Sequence, residues 1–177
     1  MHPIPLRDLG RRIMINGPTT SGKSTLADAI GRKLGIPAVH VDLFSHLPDT
    51  DWVQRDTAEF HALHNAAILE DAWVMDGNYT DLMPQRYARA TGIVVLDDHY
   101  LKRYIRYFRR TLFEHDRIGS VAGGKDSVKW DMVSWIWKTR DASKYRRWAK
   151  ESDLPMVVCH SLAEVNALYD AWGLERR

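Results

Sequence analysis

Gly17-Pro18-Thr19-Thr20-Ser21-Gly22-Lys23-Ser24-Thr25 is the stretch on which the reading of this chain turns. It fits the spacing GxxxxGK[ST]. It lies between a short apolar run, Arg12-Ile13-Met14-Ile15-Asn16, and a segment in which Leu26, Ala29, Ile30 and Leu34 recur at helical spacing. Strand, tight glycine loop and helix in that order make a phosphate cradle. Gly17 and Gly22 allow dihedrals and close approach that a side chain obstructs, so successive backbone N–H groups can turn inward. Lys23 would neutralise the outer phosphates of a nucleotide, Ser24 would ligate Mg2+, and the helix start adds its positive end. A lysine there opposes the helix dipole, and a bound polyphosphate explains its position. Gly17, Thr20, Ser21, Gly22, Lys23, Ser24 and Thr25 are therefore the expected nucleotide contacts. The pattern serves ATPases, GTPases and kinases alike; the guanine-reading Asn-Lys-x-Asp does not occur. ATP and Mg2+ are the expected cofactors.

Working outward, Gly35-Ile36-Pro37 ends the first helix, and Ala38-Val39-His40-Val41 reads as a second strand that delivers Asp42. Residues 45–52 read as a polar loop, Ala58 to Glu70 as a helix, Trp73-Val74-Met75 as a third strand and Asp76-Gly77-Asn78-Tyr79 as a turn. Ile93-Val94-Val95-Leu96 is the fourth strand, ending at Asp97-Asp98. A basic helix is expected from about Leu101 to Phe113, a break at Gly119 to Gly124, and one helix from about Asp126 to Lys150 carrying Trp130, Val133, Trp137 and Tyr145. Pro155 to Cys159 supplies the fifth strand and Ser161 to Trp172 a last helix capped by Gly173. Strands alternating with helices predict an α/β fold, a three-layer, doubly wound, parallel five-stranded sheet; the phosphate loop at its first strand and the basic segment 100–150 make it the P-loop nucleotide hydrolase and kinase type with a small helical lid. One domain over residues 1–177 is expected, with the lid at roughly 114–147 and a hinge within Arg117 to Asp126.

The 177 residues are 45% hydrophobic and 27% charged, which places the chain among globular domains and outside the disordered and collagen-like classes. Cys159 is the single cysteine, so an internal disulfide and a Cys-rich zinc or iron–sulfur site are excluded, and a reducing, cytoplasmic setting is expected. Met1 to Arg12 carries no apolar signal region and no run nears the roughly 18 apolar residues a bilayer demands, so no membrane partner is expected. Formal net charge is +2, yet residues 100–150 hold an excess of 9 positive charges, leaving a net 7 negative elsewhere. One anion-attracting region on an acidic body follows.

Ligands of open parallel sheets gather at the carboxyl ends of the strands, where Asp42, Asp76 and Asp97 are expected to emerge. Asp42 could orient or deprotonate an acceptor hydroxyl, and Asp76 could hold a magnesium-bound water. The competing reading of each is a helix cap or turn acceptor. Asn78 could reach a substrate or simply make the turn. His61 and His64 could share a helix face but have no third ligand in view, so packed or solvated histidines are expected. Cys159 reads as a core residue.

Arg103, Arg106 and Arg110 recur at i, i+3 and i+7 and share one face of the basic helix. Guanidinium groups clamp phosphate edges and offset charge during transfer, so Arg106 and Arg110 are the expected catalytic cations, beside Lys23 and Asp42. Arg140, with Arg117, Arg146 and Arg147, is a later candidate for the same task. A solvated basic face and a nucleic-acid-binding face compete with the lid reading; no helix-turn-helix, zinc finger or aromatic RNA-binding motif supports the latter. The dense tryptophans are expected to pack the lid.

Taken together, the loop at 17–25, His40-Val41-Asp42, Trp73 to Tyr79, the arginine-rich helix and Trp135-Ile136-Trp137 resemble the adenylate-kinase-related P-loop kinases of the FlaR or DNA topology modulation group, within the nucleoside-monophosphate and shikimate kinase superfamily. The resemblance spans about Ile13 to Val165. It implies a five-stranded parallel sheet, an arginine-bearing lid and ATP-dependent phosphorylation of a small acceptor. Gly17, Gly22, Lys23, Ser24 and Thr25 resemble the nucleotide-phosphate contacts, and Asp42 the acid near the acceptor. Asp76-Gly77 is similar to the Asp-Gly of the adenylate kinase third-strand motif, while Asn78-Tyr79 replaces its Phe-Pro-Arg continuation. Arg106 and Arg110 match the basic helix by position, and Ser161 to Val165 resembles the segment bordering adenine.

The expected function is a magnesium-dependent small-molecule kinase acting on a hydroxyl or phosphate acceptor, a nucleoside monophosphate among the candidates, in a monomer or homodimer. The alternative is a nucleotide-switched ATPase or nucleic-acid-associated regulator using residues 100–150 as its contact surface.

Overall fold

The computed structural model describes residues 4–50, 53–97, 101, 103–105, 107–108, 130–139, 141 and 143–176. Five strands, β1 (Arg12–Asn16), β2 (Ala38–His40), β3 (Trp73–Asp76), β4 (Gly92–Leu96) and β5 (Met156–Cys159), form one sheet in the order β2-β3-β1-β4-β5. All four pairings are parallel. The expected five-stranded α/β architecture is the one observed.

A strand covered on both faces must be apolar at consecutive positions, and β1 shows why. Ile13 and Ile15 point into one core, with Leu26 and Ile30 of α1 (Lys23–Leu34) and Leu168 and Trp172 of the closing helix. Met14, between them, points into the other with Trp73, Met75, Ile93 and Val95, and with Ile68 of α3 (Thr57–Leu69). Two cores flanking one sheet make the three layers. Asp56 caps α3 by accepting from the backbone N–H groups of Ala58 and Glu59, and Gly35 and Gly173 end their helices in the left-handed region. Cys159 is buried in the first core, and burial with the Glu164 charge pushes its thiol up to about 11, out of reach of ordinary thiolate chemistry.

The structure departs locally from the expected elements and adds one. Val41 leaves the strand, because the last β2 residue with a partner is His40, opposite Asp76; the chain then winds into α2 (Val41–Ser45), so Asp42 stands in a helical first turn. A further short helix, α4 (Met83–Arg89), follows β3, with Pro84 tolerated in its first turn. The helix expected from Asp126 to Lys150 is two: α5 (Trp130–Lys138) and α6 (Ser143–Glu151). Asp141 explains the restart, since its Oδ1 accepts from the Ser143 N–H at 2.8 Å. Trp130 and Trp137, among the tryptophans expected to pack, are exposed, whereas Ile136 and Tyr145 are buried.

Residues 101, 103–105 and 107–108 are helical, as the basic helix requires. Arg106, Arg110 and Arg140 lie outside the described residues, as do Asp98, Arg117 and the break at Gly119 to Gly124. Among the described residues, no helix is long and apolar enough to cross a membrane.

Candidate active site

The site lies where β1, β3 and β2 end side by side. Register pairs Ile15 with Asp76 and Asp76 with His40, so the phosphate loop, Asp76 and the entry to α2 share one edge of the sheet. Gly17 opens the loop with φ +148°, and a Cβ there would overlap the Leu96 carbonyl oxygen, so only glycine lets the chain pass β4 this closely. Gly22 stands at the N-cap of α1 with φ +92° and nothing within 4 Å of where a Cβ would be, leaving open space above the helix start. Helix α1 has no side-chain cap and no acid in its first turn, so its leading N–H groups face that space as donors. The Ser21 hydroxyl is buried with no hydrogen-bond partner among the described residues. An uncapped helix start, an open left-handed glycine and an orphaned hydroxyl together fit a polyphosphate.

Lys23 is the first residue of α1 and its Nζ donates to Pro18 O at 2.8 Å, folding the ammonium back across the loop. Ser24 donates from Oγ to Asp76 Oδ2 at 2.7 Å, and Asp76 is 3% exposed. The other carboxylate oxygen of Asp76 meets His40 Nδ1 at 2.6 Å. Burial pulls the His40 imidazole down, but the hydrogen bond and charge of Asp76 more than offset that and raise its pKa above 6.5. Among the described residues no group of three or more His, Cys, Asp or Glu gathers to hold a metal ion. The Ser24–Asp76 pair nonetheless suits Mg2+, which takes few protein oxygens and completes its shell with water and phosphate.

Asp42 is half-buried at the start of α2 and accepts from the Tyr79 hydroxyl at 2.8 Å through Oδ1. Tyr79 also shares a hydrogen bond with Ser45 Oγ, which contacts His46 Nδ1 at 2.7 Å. Burial first, and then the neighbouring Asp42 charge, raise the Tyr79 pKa well above 10, so the phenol stays a donor. Asn78 turns toward the phosphate loop, where its Nδ2 donates to Gly17 O at 2.8 Å. Thr20 is half-buried with φ +63°, and Thr25 is exposed. Asp97 is held by Arg146 and lies 3.3 Å from His160 Nδ1, at the β4–β5 end of the same edge. Ser161 and Glu164 cap the closing helix: Ser161 Oγ accepts from the Glu164 N–H at 3.2 Å and Glu164 Oε2 accepts from the His160 N–H at 2.9 Å.

Two arginines are fully buried: Arg86, which the sequence did not single out, and Arg103, expected on the open basic face of its helix. Arg86 of α4 donates to the carbonyls of Gly77, Asn78 and Tyr79, the last two at 2.8 and 3.2 Å, and so fixes the bend that carries Asn78 one way and Tyr79 the other. Burial lowers its pKa to about 10, which leaves it charged at neutral pH. Arg103 donates to Thr19 O at 3.1 Å, bracing the loop instead of facing solvent with a basic surface.

No family model matches this chain, and no curated protein matches it in sequence. Its fold is similar to that of a shikimate kinase from Bacteroides thetaiotaomicron, with 17% identity, 92% of this chain and 94% of that one covered and a TM-score of 0.53. A sugar kinase from a Janibacter species aligns with 13% identity over 85% of this chain and 84% of that one, with a TM-score of 0.49. The likeness to the shikimate kinase is one of fold, and it does not single out the FlaR group.

Proposed function

We propose that the chain is a magnesium-dependent phosphotransferase that moves the γ-phosphoryl group of ATP to a small hydroxyl- or phosphate-bearing acceptor. One observation carries the reading: the Gly17–Thr25 loop opens between β1 and α1 with Ser24 hydrogen-bonded to Asp76 at the end of β3. Fold-level analogy to a shikimate kinase agrees with it, but the argument rests on the site.

In this reading the loop's N–H groups and Lys23 hold the donor phosphates, with Thr20, Ser21, Gly22 and Thr25 lining the cradle. Mg2+, when bound through Ser24 and a water on Asp76, would offset charge on the phosphate oxygens. Asp42 receives the proton of the acceptor hydroxyl while the acceptor oxygen bonds to the γ-phosphorus and the bond to the ADP oxygen breaks. Tyr79 keeps the Asp42 carboxylate oriented. Arg106, Arg110 and Arg140 are assigned the transferring charge, and the lid, assigned to roughly 114–147 of a single domain, the exclusion of water. A cytoplasmic monomer or homodimer is the setting this chemistry fits.

An acceptor screen with γ-labelled ATP, across nucleosides, nucleoside monophosphates, sugars and shikimate-like acids, tests the proposal by reading labelled product beside released phosphate. Labelled product supports it. Release of phosphate alone, indifferent to every acceptor, refutes it in favour of the nucleotide-switched ATPase.

A further inference from the structure

The phosphate loop is held from two sides by residues that the transfer reaction leaves unused. Asn78 matches both backbone groups of Gly17: besides donating to its carbonyl, it accepts through Oδ1 from the Gly17 N–H at 3.4 Å. Its Nδ2 also donates to Tyr145 Oη at 2.9 Å, on α6. Glycine left alone rotates freely; this amide removes that freedom at the residue where the loop begins. Arg103 acts on the crest. Its Nε holds the Thr19 carbonyl, and its own carbonyl accepts from Thr20 Oγ1 at 3.2 Å. Between them lies a β-branched residue in the left-handed region, at φ +63°, a conformation that persists only where neighbours over-determine it. The far end of Arg103 donates to Thr139 O and Thr139 Oγ1, both at 2.9 Å.

We propose that Asn78 and Arg103 are positioning residues that preset the phosphate loop for anion binding, and that they tie its shape to Tyr145 of α6 and to Thr139 just after α5. The proposal rests on the loop being a phosphate cradle. Inward-facing N–H groups bind anions tightly only when no ordering is left to be done at binding, and these contacts do the ordering beforehand. The two braces come from different places, one from the bend after β3 and one from the helix after β4, and they reach on to Tyr145 and to Thr139 respectively. A shift of Tyr145 is therefore felt at Gly17, and a shift of Thr139 at Thr19–Thr20.

Calorimetric titration with magnesium pyrophosphate and with MgADP, alongside thermal unfolding of each variant, tests this. Asn78→Ala is expected to weaken both probes about tenfold, the worth of one good hydrogen bond. Tyr145→Phe and Thr139→Val, at residues outside the loop, are each expected to weaken them roughly two- to threefold. Arg103→Lys, which keeps a donor for the Thr19 carbonyl, should recover part of what Arg103→Met loses. If the arginine variants fail to fold, the conservative Tyr145→Phe and Thr139→Val pair still decides the matter. Variants that lose thermal stability but bind both probes as tightly as wild type would overturn the proposal while leaving the cradle intact. A wild-type protein that binds neither probe would overturn the cradle itself, and the braces with it.

Discussion

Ser24 and Asp76 stand 52 residues apart in sequence and meet at 2.7 Å, hydroxyl to carboxylate, where the first turn of α1 faces the end of β3. The second oxygen of that carboxylate is taken by His40 at the end of β2, so one buried acid at the end of β3 joins β2 to the first turn of α1. A charged acceptor this deeply buried is stable only because both oxygens have donors. It also places a carboxylate oxygen and a hydroxyl together beside the start of α1, a pair that suits a cation which keeps most of its water shell.

Asp76→Asn should therefore lower phosphoryl transfer by about 100-fold or more while the fold persists, and should raise the Mg2+ concentration needed for half-maximal rate. Initial rates across a Mg2+ titration check this. An unchanged magnesium dependence would remove Asp76 from the metal's surroundings.

Asp42 and Tyr79 predict a graded pair. Asp42→Asn keeps the shape but loses the proton acceptor, so transfer to an acceptor found in the screen should fall roughly 10²- to 10⁴-fold with MgATP affinity within about twofold of wild type. Tyr79→Phe removes one orienting donor, 2.8 Å from Oδ1, and should cost about tenfold. Steady-state rates beside nucleotide titrations separate the two effects; equal losses in binding and transfer would deny Asp42 its role.

His64 makes a prediction about stability. It is fully buried in α3, its Nδ1 lies 3.3 Å from Asn65 Oδ1, and its Nε2 has no hydrogen-bond partner among the described residues. Burial is the main reason its pKa falls to about 4 from 6.5. Between those values the unfolded chain takes a proton that the folded one refuses. The stabilisation is thus complete above 6.5 and is lost as pH falls through the window to about 4, by about 3 kcal/mol at most. Urea unfolding from pH 7 to pH 4 should show this slope in wild type and a flatter one in His64→Phe. Identical slopes would contradict the assignment.

Much of this was legible in the sequence, for reasons that differ by element. Every strand is a brief apolar run closed by turn-forming residues, and the loop at 17–25 carries its mechanism in its spacing, so sheet and cradle follow from local pattern. Helix α4 does not: seven residues beginning at Met83 and interrupted early by Pro84 leave no periodicity to read. The α5–α6 break hid behind a continuous run of helix formers and aromatics, since the turn depends on Asp141 capping and on Thr139 being taken by Arg103. The role of Arg86, and the burial of Arg103 that takes it off the expected basic face, were hidden for a deeper reason. Arginine belongs on the surface by composition, and only folding brings together the carbonyls at 77–79, or those of Thr19 and Thr139, that justify burying a guanidinium. Asn78 reads as a turn residue and turns out to grip the loop 61 positions earlier.

The central claim is that the Gly17–Thr25 backbone holds a nucleotide's phosphates with Lys23 at the donor end. Titration of folded wild type and of folded Lys23→Ala with MgATP, read by calorimetry, tests it most directly. The account predicts saturable binding by wild type and at least about a tenfold loss in the variant, the loss of a charge-assisted contact. Wild type that binds no MgATP, or a variant that binds it equally well, would contradict it.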